Sequence, residues 1–60
     1  MQVIYRKASK RHKGMSIVLV RREDGFFPYV TWVADSQGNF HYGHYFETRE
    51  EAIRDFAERS

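Results

Sequence analysis

The sequence predicts an α+β domain: an antiparallel β-meander of three to four strands packed on one C-terminal α-helix. Three observations point there: runs of β-branched and aromatic residues separated by glycine-containing turns, a capping-box tetrad at Thr48-Arg49-Glu50-Glu51, and a helical apolar spacing that starts only after that tetrad. The 60 residues have room for one domain, 1–60, near the lower size limit for folding unaided, because short chains bury a smaller share of their surface. A net stability of roughly 3–9 kcal/mol is expected at about 0.05–0.15 kcal/mol per residue.

Taken in order, Gln2 to Lys7 alternates weakly, enough for a short first strand with Val3 and Tyr5 on one side and Ile4 on the other. Ala8 to Gly14 is basic and has no apolar residue larger than alanine, so it reads as a mobile loop. Met15 to Arg22 is the clearest strand, rich in β-branched residues and free of glycine and proline. Glu23-Asp24-Gly25 supplies a turn, and Phe27 to Ala34 is the next strand, with Pro28 at its beginning where a missing N–H does least damage. Asp35 to Asn39 turns the chain again into a last strand, Phe40 to Phe46, inside which Gly43 marks a bulge or a close backbone approach.

The helix begins at Thr48, whose hydroxyl is spaced to accept from the Glu51 N–H while the Glu51 carboxylate reaches back. Ala52, Ile53, Phe56 and Ala57 then form one apolar stripe, and Glu50 with Arg54 and Asp55 with Arg59 have i,i+4 spacing. Ala52, Ile53 and Phe56 are expected to pack on Val33 and Phe46.

Because strand side chains alternate, each strand sorts into two sets, and here neither set is a water face. Met15, Ile17 and Leu19 oppose Ser16, Val18 and Val20; Phe27, Tyr29, Thr31 and Val33 oppose Pro28, Val30, Trp32 and Ala34; Phe40, Tyr42, His44 and Phe46 oppose His41, Gly43 and Tyr45. One helix of about 11 residues spans roughly 16 Å and shields one side only. The remainder is an apolar, aromatic face of the kind that marks an interface. The alternative is that the first strand and basic loop fold across it and make it ordinary core.

Charge is segregated along the chain. Residues 1 to 22 carry seven bases and no acid, residues 23 to 60 eight acids against three bases, for a net +2. Such asymmetry fits a polyanion partner or head-to-tail complementarity. With no cysteine there is neither a disulfide nor a thiolate metal site. The longest aliphatic run, Ile17 to Val20, is far too short for a membrane span, and the N-terminus lacks a signal-peptide core, so a cytoplasmic protein with no membrane partner is expected.

Catalytic groups are few. The four serines have no nucleophile-elbow context, and no glycine-rich phosphate cradle is present. His41 and His44, three apart on a strand, are expected on opposite faces and so are poorly placed to share a metal. His12 adds partial charge to the basic run, and Glu50 and Glu51 suit the positive end of the helix dipole. The expectation is no enzyme activity, no metal, no cofactor and no small-molecule substrate.

From Tyr29 to Phe56, about half the chain, the sequence resembles the AP2/ERF DNA-binding domain, a three-stranded antiparallel sheet on one helix. Gly38, Phe46, Thr48, Glu50, Glu51, Ala52 and Phe56 carry the likeness, with Val33 at a core aliphatic position. The pattern departs where that family reads DNA: Ala34 stands in place of an arginine before Asp35, Arg21 and Arg22 have no glycine between them, and Gly43 lies three residues before Phe46 rather than two. Phage integrase arm-binding domains are built similarly, and small phage or mobile-element proteins share this look. The resemblance implies fold more than activity.

The function read from these residues is a small non-enzymatic binding module acting through the helix-distal face, as a homodimer or an accessory protein-interaction domain. Val30, Trp32 and Tyr45 are the anchors, with Arg21, Arg22, Lys10, Arg11 and Lys13 as electrostatic helpers. The alternative is DNA or RNA binding, in which the same bases meet phosphates and the aromatics stack on bases.

Overall fold

A computed structural model describes residues 1–23 and 25–60. Four strands, β1 (Gln2–Ala8), β2 (Ser16–Arg21), β3 (Tyr29–Ala34) and β4 (Phe40–Phe46), form one antiparallel sheet in the order β1-β2-β3-β4, followed by α1 (Arg49–Glu58). The predicted α+β meander is therefore present, with the weak first segment pairing as a full edge strand. The Asp24 part of the first turn lies outside the described residues; Gly25 beside it has φ +90°, a region that glycine enters without a Cβ clash.

The second turn is built by one side chain. Asp35 Oδ1 accepts from the backbone N–H groups of Gln37 and Asn39, both at 2.9 Å, and Gly38 takes the left-handed conformation that closes the loop. His41 Nε2 lies 2.9 Å from Asp35 Oδ2. Led by the His41 contact and supported by these N–H groups, the Asp35 carboxyl is lowered from 3.8 to about 2.

Two bulges redistribute the side chains. In β1 the register shifts between Val3 and Tyr5, so Val3 pairs with Val20 and Tyr5 with Leu19. These two residues thus sit on opposite faces, not on one, because the extra residue breaks the period of two. In β4 the shift falls opposite Trp32: Thr31 pairs with His44 and Val33 with His41, leaving Tyr42 and Gly43 against one partner. His41 and His44 consequently share the helix-facing side, contrary to simple alternation, while Phe40 moves to the other. Each histidine is held by a different aspartate, His41 by Asp35 and His44 by Asp55.

Helix α1 starts at the expected residue. Thr48 is its N-cap in extended conformation, and both hydrogen bonds of the capping box form with Glu51. Ala52 is fully buried, whereas Ile53 is 37% exposed and lies at the margin of the stripe rather than in the core. Phe56 is half-buried against the Tyr5 ring at 5.9 Å, with the Lys7 ammonium 4.9 Å from its centroid. Neither i,i+4 ion pair forms among the described residues; Asp55 and Arg59 instead meet through Thr31.

Both faces of the sheet are dry beneath. Ile17, Leu19, Thr31 and Val33 are buried under the helix, and Val18, Val20, Val30 and Ala34 are equally buried on the side without one. Neither β1 nor the basic loop folds across that second side, since β1 lies in the sheet itself. Trp32 and Phe40 lie down over the aliphatic layer instead.

Candidate functional site

The helix-distal face is an aromatic sheet-top made by one glycine. A Cβ at Gly43 would come within 2.5 Å of Trp32 Nε1 and 3.0 Å of Tyr45 Cε1, so the bare backbone there is what lets the indole lie flat. Trp32 stacks on Phe40 at 4.9 Å and meets Tyr45 edge-on at 6.1 Å. The Arg22 guanidinium stands 5.2 Å from the Tyr45 centroid, and its Nη2 donates to the Phe27 carbonyl at 2.9 Å. Among the described residues, Arg22 Nε is buried with no acceptor.

The predicted anchors therefore divide. Val30 is 0% exposed and supports the layer above it without offering an atom to a partner. Trp32 is half-buried in its stack, and Tyr45 is 49% exposed. Phe27, 44% exposed, and Phe26, 90% exposed, belong to the hairpin between β2 and β3, where the Phe27 carbonyl accepts from Arg22.

The predicted basic helpers do not converge. Arg22 reaches the aromatic face, but Arg21, the next residue back on an alternating strand, pairs with Tyr29 in the helix-facing set. Lys10, Arg11 and Lys13 lie in the loop at the far end of β2. That loop is fastened to the helix side: the Arg11 N–H and the Ser9 hydroxyl both donate to the Ser60 carbonyl at 2.7 Å, and the His12 N–H donates to Ser9 Oγ at 2.9 Å. The expectation of a mobile loop gives way to a hydrogen-bonded one.

This fastening creates a second feature that sequence reading missed, a groove of about 580 Å³ between the loop, the C-terminal half of α1 and the sheet. Its floor is Ile17 and Val33; Arg11, His12, Tyr42, His44, Asp55 and Arg59 stand around it. Beneath the rim, buried Thr31 donates from Oγ1 to Asp55 Oδ2 at 2.5 Å and accepts from Arg59 Nη1 at 2.9 Å, while His44 Nδ1 lies 3.0 Å from Asp55 Oδ2. Burial pushes the Arg59 guanidinium down from its ordinary value, and the Asp55 carboxylate partly restores it. No signal in the linear sequence marks this groove, because its residues come from the loop, three strands and the helix. The described residues contain no cluster of three or more metal-ligating side chains, and no helix long and apolar enough to cross a membrane.

Comparison with protein-family models, with curated proteins and with solved structures gives no match to this chain. The likeness of residues 29–56 to the AP2/ERF pattern thus rests on those residues alone.

Proposed function

We propose that the domain is a non-enzymatic interaction module that docks an acid-rimmed protein surface on its helix-distal face. The observation that carries this reading is the half-exposed Tyr45 ring set edge-on against the Trp32–Phe40 stack on a sheet face that no helix covers. Aromatic residues with an adjacent arginine are the composition favoured at interface centres.

Charge selects among partners. At the strand positions of this face the one charged residue is Arg6, paired with Val18, and Arg22 lies over Tyr45; no carboxylate occupies a strand position there. A second copy docked face to face would bring like charges together, which favours a different, acidic partner over a homodimer. Two arginines are also few for nucleic acid, where six to ten phosphate contacts are typical of strong salt-dependent binding; two give only about a tenfold loss of affinity between 50 and 200 mM salt.

The test compares proteins co-purified with the parent chain, with a Tyr45→Ser variant and with a Lys10→Gln/Lys13→Gln variant, alongside sedimentation of each. Partners lost only with the aromatic variant support the reading. A dimer that the aromatic variant dissolves would replace it with self-association, and DNA retention with a steep salt slope would replace it with nucleic-acid binding.

A further inference from the structure

We infer that the groove between the basic loop and α1 is a ligand site for a planar ring bearing a phosphate or carboxylate, with Tyr42 as its stacking wall. Tyr42 has φ +56° and is the one non-glycine residue with positive φ among the described residues. An aromatic side chain seldom occupies that region, and the cost is met without any gain in burial, since the ring is 68% exposed. The bulge opposite Trp32 is the cause: it turns Tyr42 into the groove, where its ring stacks on His12 at 5.9 Å and 20°. A strained residue held out of the core and aimed into a cleft is the arrangement expected of a ligand clamp.

The rest of the groove fixes the chemistry of what fits. Ile17 and Val33 give an apolar floor beside the Tyr42–His12 pair, suited to one face of a planar ring. Above it the hydrogen-bonding capacity is unbalanced. Both Asp55 oxygens are already engaged by Thr31 and His44, which leaves Glu58 as the one lining carboxylate without such contacts. Against it stand the Arg11 guanidinium, the Arg59 guanidinium nitrogens other than Nη1, the His44 Nε2 and the Tyr42 hydroxyl, none engaged in a hydrogen bond among the described residues. A donor-rich rim over an apolar floor takes an acceptor-rich anionic group joined to a ring. The volume of about 580 Å³ lies in the range of small-molecule clefts.

The experiment is an amide and side-chain NMR titration of the intact chain with adenosine 5′-monophosphate and, separately, with 4-hydroxyphenylacetate, which represent the phosphate and carboxylate sources. Adenosine and ribose 5-phosphate, each lacking one half of the ligand, serve as references. Saturable shifts at Tyr42, His12, His44 and Arg59, with the Trp32 indole unmoved and affinity for at least one full ligand tenfold or more above both halves, are expected. Tyr42→Asn keeps the left-handed backbone accessible while removing the ring. It should melt no lower than the parent and bind at least fivefold more weakly, and Arg11→Gln should weaken binding without changing the melt. Absence of saturation by both ligands at 10 mM, shifts centred on Trp32, or undiminished binding by Tyr42→Asn would each overturn the assignment.

Discussion

Gly43 has the least side chain and the most architectural leverage. Substitution by alanine forces the Trp32 ring off a 2.5 Å contact and unstacks it from Phe40. The expected cost is about 1–3 kcal/mol, typical of overpacking. A lower melting temperature with red-shifted tryptophan emission is the predicted result, and a parental melt and spectrum would contradict it. Thr31 is the corresponding polar point on the other side. Thr31→Val keeps the volume but removes both hydroxyl hydrogen bonds, and should cost about 1–3 kcal/mol in urea unfolding. Asp35 governs acid behaviour. Its folded value of about 2 lies below the ordinary 3.8, so the turn's contribution is complete above about 3.8 and is lost as pH falls toward about 2. The stability difference between the parent and Asp35→Asn should therefore shrink across that interval, and a difference independent of pH would show that the turn does not carry it.

Among the elements, α1 is the one whose start is written in consecutive residues. Thr48→Ala should lower stability by about 1 kcal/mol, and Thr48→Ser should restore most of it, as read from the urea midpoint. Against a margin of roughly 3–9 kcal/mol this is a visible fraction. Phe56 is less decisive than its place in the stripe implies. A half-buried ring on Tyr5 and Lys7 should lose less on truncation than the about 3–5 kcal/mol of a fully enclosed phenylalanine. What sequence made legible were local devices: the capping box, the Asp35 turn and the glycine in β4. What it hid followed from the bulges. Inserting one residue flips every later side chain, so the sharing of one face by His41 and His44, and the outward turn of Tyr42, were invisible to strict alternation. The groove was hidden for a further reason, since residues 11, 12, 17, 33, 42, 44, 55 and 58–60 converge only in the folded chain.

For the whole molecule, the surplus of apolar residues over what one helix can shield is resolved largely from within. Trp32 and Phe40 roof the second aliphatic layer, and the apolar surface moves outward to Tyr45. The charge asymmetry of the sequence does not become one basic patch, because the backbone of the basic loop is fastened on the helix side at Ser60 while Arg6 and Arg22 remain on the open face. The two proposed sites thus lie back to back across a single sheet, and a ligand in the groove and a partner on the aromatic face need not compete for space.

The clasp between Ser9, Arg11 and the Ser60 carbonyl carries a consequence for how the chain assembles. Every strand pairs with its neighbour in sequence, so the sheet can zip up from nearby segments, whereas this clasp joins positions 51 apart. It should close last and open first. In native-state deuterium exchange the Arg11 amide is therefore expected to open together with the last turn of α1, well before the amides of β2 and β3.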